Sequence, residues 1–116
     1  MADVKIWHNP RCSKSRLGVA WLEEKGSDVE VFEYLKDGFQ ASVLASLIEN
    51  SEQPLSAFIR KNEREYKELQ LSEKNLTPKS FAEIAVKHPN LLERPIVEKM
   101  GKAVVARPTE KIDDLF

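Results

Sequence analysis

A single cysteine among 116 residues is the most consequential scarcity in this chain. It excludes an intramolecular disulfide framework, a CxxC redox pair and a multi-cysteine zinc site built from one copy. A reducing compartment follows as the expectation, and a thiol that does redox work here must borrow a second thiol. Charge of one sign is not in excess either: 18 Lys+Arg face 19 Asp+Glu, for a formal net charge of −1. That balance argues against nucleic acid as a partner, while leaving room for a local basic site. No stretch approaches the roughly 18 apolar residues of a membrane span, and no apolar core of about 7–15 residues follows the start as in a secretory leader. Repeats, low-complexity tracts and linkers are also missing. A cytoplasmic chain away from membranes, forming one domain over residues 1–116 and monomeric by default, is therefore expected.

What is present has a clear order. Val4-Lys5-Ile6-Trp7 alternates as a short strand and stops at His8-Asn9-Pro10-Arg11, a turn-forming set. Leu17, Ala20 and Trp21 then recur at helical spacing, widened by Val19 and Leu22, with Gly26 placed to end the helix and Ser13 or Ser15 to cap its start. Val29 to Tyr34 is β-branched and aromatic, which predicts a second strand. Strand, helix, strand in so short a span fits a parallel βαβ crossover, whose first loop lies at the carboxyl edge of the sheet, where α/β folds build sites.

From about 40 to 88 the pattern is helical. Val43, Leu44, Leu47 and Ile48 form one stripe, Leu55, Phe58 and Ile59 a second, and Phe81, Ile84, Ala85 and Val86 a third. Pro54, Pro78 and Pro89 punctuate the segment, with Ser42, Ser56 and Thr77 near helix starts. The mixed-charge run Arg60 to Glu65 reads as solvated surface. Ile96-Val97 and Ala103 to Ala106, around Met100-Gly101-Lys102, predict a hairpin, and Pro108 to Phe116 a short closing helix. The sum is an α/β thioredoxin-like fold: a βαβ unit and a ββα unit sharing a mixed sheet, with an all-helical insertion between them.

The chemistry concentrates at Cys12. A cysteine in a loop feeding a helix start meets free backbone N–H groups and the positive end of the helix dipole, and Arg11, Lys14 and Arg16 add positive charge. Such settings bring a thiol from about 8.5 down to roughly 3.5–7.5 in pKa. The plainer alternative, a small buried gap-filler, suits apolar neighbours better than these. Ser15 stands where a CxxC protein carries its resolving cysteine; a hydroxyl cannot resolve a disulfide, so it serves as a cap or as a hydrogen-bond partner of the thiolate. His8 reads either as a base near Cys12 or as a simple hydrogen-bonding residue. His88, at the end of a helical stretch, reads as an aid to helix termination. One cysteine and two distant histidines give no support to a metal site. Arg60, Arg94 and Arg107 offer planar forks suited to tetrahedral oxyanions. Arg94 precedes Pro95 where thioredoxin-like folds place a cis-proline facing the active cysteine, and Arg107 leaves the neighbouring strand.

These residues resemble the glutaredoxin-linked ArsC-type arsenate reductase family along nearly the whole chain. The matching blocks are His8 to Cys12 with Ser15-Arg16, Leu55 to Asn62, His88-Pro89 with Leu91 to Val97, and Arg107-Pro108. The resemblance implies Cys12 as nucleophile, His8 and Ser15 as supports of its thiolate, and Arg60, Arg94 and Arg107 as the cradle of arsenate or a similar oxyanion. It also implies no bound cofactor, with glutathione as reductant and glutaredoxin as the protein that regenerates the enzyme. Two departures stand out. Ser13-Lys14 replace the Gly-Thr of members with established activity, which changes loop stiffness and the local N–H groups. The chain also stops at Phe116, as in a compact ArsC-like branch. Two other readings share the fold: an Spx-like regulator binding RNA polymerase, whose CxxC switch Ser15 removes, and a glutaredoxin-like thiol transferase without arsenate activity.

Overall fold

The computed structural model describes residues 3–116. Its elements are β1 (Val4–Trp7), α1 (Ser13–Glu24), β2 (Val29–Phe32), α2 (Tyr34–Asp37), α3 (Ala41–Glu49), α4 (Arg64–Glu68), α5 (Pro78–Lys87), β3 (Ile96–Lys99) and β4 (Lys102–Val105). Short 3-10 turns occupy Leu55–Phe58, Leu71–Glu73, Pro89–Leu91 and Thr109–Leu115.

The four strands form one mixed sheet in the order β2-β1-β3-β4. β1 runs parallel to β2 with Val4 opposite Val29, and antiparallel to β3 with Trp7 opposite Ile96. β3 and β4 are antiparallel, with Ile96 opposite Val105. This register puts the end of β1, the start of β3 and the end of β4 on one sheet edge. The two-residue turn between β3 and β4 is Met100-Gly101, both at positive φ (52° and 82°), the backbone a tight hairpin requires.

Side-chain alternation along the strands separates two cores. Trp7, Ile96, Ala103 and Val105 face the helical segment and pack with Tyr34, Leu44, Phe58, Phe81 and Leu91. Val4, Ile6, Val97 and Val104 face the other way, onto Leu22 of α1 and Ile112 of the closing turn. The sheet is thus covered on both sides, as a parallel βαβ unit requires. α5 has the sharpest start: Pro78 follows Thr77, whose hydroxyl accepts from the Ser80 N–H while the Ser80 hydroxyl accepts from the Thr77 N–H.

Several local expectations change. The inner face of α1 is Ser15, Gly18 and Leu22, whereas Leu17 is 52% exposed; small residues let this helix approach the sheet closely. Neither Ser13 nor Ser15 caps α1, because Cys12 holds the N-cap position and no side chain caps the helix. Tyr34 ends outside β2, as the first residue of α2. The stripe Leu55-Phe58-Ile59 is a 3-10 turn followed by a single bridge from Ile59 to Leu92, and the charged run contains the start of α4. Ser42 and Ser56 cap nothing; Val43 and Val86 are solvent-exposed. Tertiary pairing overrode helical periodicity here. The closing element is 3-10, with Ile112 buried and Phe116 exposed.

Candidate active site

The register described above delivers three segments to one place: the loop after β1, the residues before β3 and those after β4. The loop is shaped by its own side chains. Asn9 Oδ1 accepts from the Arg11 N–H at 3.0 Å, an Asx turn that Pro10 stiffens. Arg16 reaches back from α1 to donate to the Pro10 carbonyl at 2.9 Å. Ser15, fully buried, accepts the Asn9 N–H through its hydroxyl at 3.3 Å. The Cys12 N–H donates to the Asn9 carbonyl, and the Cys12 carbonyl accepts from the Arg16 N–H, so the cysteine is fixed where the helix begins.

This placement acts on the thiol. Burial pushes its pKa up, but the backbone N–H of Ser15, the side chain of Arg94, the backbone N–H of Lys14 and the Arg94 charge together lower it from 9.0 to about 7. A large share of Cys12 is therefore thiolate at neutral pH. Arg107 adds a second guanidinium, its Nη2 lying 3.8 Å from Cys12 Sγ. The charge that acts on the thiol comes from distant strand ends. The side chains of Arg11, Lys14 and Arg16, although neighbours in sequence, are not among the leading causes of the shift.

Both arginines are held by their surroundings. The Arg94–Pro95 and Arg107–Pro108 peptide bonds are cis. Pro95 is buried, and its carbonyl accepts from the Ala106 N–H at 2.9 Å. Arg107 Nε donates to the Arg94 carbonyl at 2.8 Å, which couples the two residues. Arg94 Nε and Tyr34 Oη are buried and without hydrogen-bond partners among the described residues. Burial raises the Tyr34 pKa, against the pull of the neighbouring Arg94, so the phenol stays a neutral donor.

Arg60 comes to the site by a different route. The bridge from Ile59 to Leu92 and the Arg60 N–H to Leu91 carbonyl bond of 2.7 Å set it beside Glu93. There its Nη1 contacts Glu93 Oε1 at 3.1 Å and its Nε contacts Glu63 Oε1 at 2.9 Å. Arg60 thus joins Arg107 through a carboxylate, without a contact to Cys12.

His8 is buried at the end of β1, with Nδ1 unpartnered. Burial, reinforced by Arg16, holds its pKa below 6.5 against Glu33 and the Ser15 backbone. It is a neutral imidazole at pH 7 and makes no hydrogen bond to Cys12. His88 terminates α5 and precedes the Pro89–Leu91 turn. Among the described residues no three His, Cys, Asp or Glu side chains are grouped to hold a metal ion, and no helix is long and apolar enough to cross a membrane.

Sequence reasoning missed Tyr34, Glu93 and Gly18. Tyr34 looked like the last strand residue. Glu93, next to Arg94, looked like one of many surface acids. Gly18 carries no chemistry, yet an added β-carbon there would lie 3.0 Å from Ile6 Cδ1 and 3.1 Å from Pro95 Cγ.

A mixed four-stranded sheet with one thiol at the start of its first helix and a cis-proline before the antiparallel hairpin defines an α/β protein of the thioredoxin-like class. The chain belongs to the ArsC family, whose sequence model matches residues 7–115. It is 42% identical over 122 residues to an arsenate reductase of Neisseria meningitidis, covering 97% of each chain. An uncharacterized Escherichia coli protein, YfgD, is 42% identical over 114 residues, covering 95% of this chain and 93% of that one. Among solved structures, an arsenate reductase from Vibrio cholerae superposes with a TM-score of 0.89 at 35% identity, over 99% of this chain and 98% of that one.

Proposed function

We propose that this protein is a cytoplasmic arsenate reductase in which Cys12 is the nucleophile and glutathione and glutaredoxin supply the reducing thiols. The observation that supports this reading most is the convergence of Arg94 and Arg107 on a Cys12 thiol whose pKa is about 7. A thiolate attacking an anion needs concentrated positive charge, and fixed guanidinium groups provide it without reorganisation. The family relationship favours arsenate as that anion.

The Cys12 thiolate attacks arsenic, an S–As bond forms, an As–O bond breaks, and with one added proton that oxygen leaves as water. Arsenic remains pentavalent in this adduct. Glutathione thiol then attacks the Cys12 sulfur, an S–S bond forms, and the S–As pair stays on arsenic, which departs as arsenite. Glutaredoxin thiolate attacks the glutathione sulfur of the mixed disulfide and releases Cys12. Arg94 and Arg107 hold the oxyanion against the thiol, and Ser15 fixes the loop through the Asn9 N–H. Arg60 braces Glu93, whose carboxylate in turn contacts Arg107.

The test is arsenite production from arsenate with glutathione and glutaredoxin, comparing the parent with Cys12→Ser and Arg94→Ala. Loss of turnover in Cys12→Ser and a large fall in Arg94→Ala are expected. Turnover that survives in Cys12→Ser overturns the nucleophile assignment. No arsenite from the parent, together with glutathione mixed-disulfide formation at Cys12, makes the protein a thiol transferase instead.

A further inference from the structure

Glu93 occupies an unusual position for an acid, since it lies inside a group of cations suited to anion binding. Its Oε1 contacts Arg60 Nη1 at 3.1 Å, Arg107 Nε at 3.2 Å and the Arg94 N–H at 3.2 Å. All these contacts fall on one oxygen. Oε2 accepts no hydrogen bond among the described residues, and the side chain keeps 20% of its surface exposed. Arg107, which Glu93 touches, is also the arginine that reaches Cys12 Sγ. An anion seated between Cys12 and the arginines would thus lie beside a carboxylate that has one oxygen without a hydrogen bond among the described residues.

A carboxylate at that point makes a chemical distinction that arginines cannot make. Guanidinium groups donate to any oxyanion, protonated or not. A carboxylate only accepts, so it is satisfied by an oxygen that carries hydrogen and repelled by one that does not. Arsenate and phosphate keep at least one O–H at neutral pH, whereas sulfate keeps none. A site that leaves a partly buried polar group unpaired with the wrong ligand discriminates against it.

We propose that Glu93 is the specificity-determining residue of the oxyanion cradle: its Oε2 accepts a hydrogen bond from a protonated oxygen of the anion, selecting hydrogen-bearing arsenate- and phosphate-type anions over sulfate. The inference rests on the oxyanion-site reading above and adds the class of anion admitted. It also gives Arg60 a role, since Arg60 holds Glu93 Oε1 and so turns Oε2 toward the anion.

The test uses protection of Cys12 from iodoacetamide at a fixed neutral pH by inorganic phosphate, sulfate and monofluorophosphate, in the parent and in Glu93→Gln. Monofluorophosphate matches hydrogen phosphate in shape and charge but lacks the O–H. In the parent, phosphate is expected to protect at concentrations about tenfold or more below those of the other two. In Glu93→Gln, whose amide can donate, the sulfate-to-phosphate ratio is expected to fall toward one through a gain in sulfate binding. A purely structural role for Glu93 would weaken all three anions together and leave the ratio unchanged, which overturns the proposal. Equal protection of the parent by phosphate and monofluorophosphate overturns it too, with no variant needed. Protection by none of the anions overturns both this inference and the oxyanion reading, whereas protection without selectivity overturns this inference alone.

Discussion

Gly18 lies close against Pro95: an added β-carbon would come within 3.1 Å of Pro95 Cγ and 3.0 Å of Ile6 Cδ1, so both neighbours would have to give by a few tenths of an ångström. The contact seats the Cys12-bearing helix on the residue that follows Arg94. In an exposed helix, Gly→Ala would stabilise by about 1 kcal/mol. Here the overpacking of a dense interface, typically about 1–3 kcal/mol, opposes that gain. Gly18→Ala is expected to lower the urea midpoint and to slow Cys12 alkylation, because the helix and Arg94 are pushed apart. A raised midpoint with unchanged thiol reactivity would show that the close approach does not position the site.

The Ser15 N–H and then Arg94 lower the Cys12 pKa. With the thiol lowered to about 7 by backbone donors and Arg94, the alkylation rate of the parent should rise with pH and level off above neutrality. Arg94→Gln removes the charge, so the midpoint of that profile should move up toward 9.0. A shift of one pH unit costs about tenfold in thiolate at pH values below the midpoint. An unmoved midpoint would assign the lowering to the Ser15 and Lys14 N–H groups alone.

The same shift links Cys12 to stability. A thiol lowered in the folded state stabilises the fold above its unfolded value, and that contribution disappears as pH falls through the folded value. With 9.0 and about 7 as the two values, the parent should gain stability relative to Cys12→Ser as pH rises from 7 to 9. Denaturant midpoints of both proteins across that range measure it. The gain should be modest, because Cys12 is only partly buried. A difference that shrinks with rising pH would contradict the lowered thiol.

Much of the sheet was legible because strand signals are local. Val4–Trp7 alternated as it stands in the structure, and Met100-Gly101 marked the hairpin. The insertion was less so: the stripe at Leu55, Phe58 and Ile59 looked helical, but Ile59 gives up helix for a bridge to Leu92, a partner far away in sequence. The Cys12 loop is legible as a thiolate-favouring setting, and Arg94 and Arg107 as candidates to face it, but short spacing gives no ranking between them and the nearby cations. Arg11, Lys14 and Arg16 are close along the chain, whereas Arg94 and Arg107 are close in space.

Residue types and spacing alone establish one thiol at a helix start, no resolving partner and three arginines in blocks that match one family. Which cations reach the thiol follows from strand pairing, because antiparallel pairing of β1 with β3 and of β3 with β4 brings residues more than 80 positions apart to one edge. Tertiary pairing also sets Glu93 among those cations with one oxygen open. An acid beside an arginine in sequence has no fixed partner until the strands pair and the bridge from Ile59 brings Arg60 alongside it.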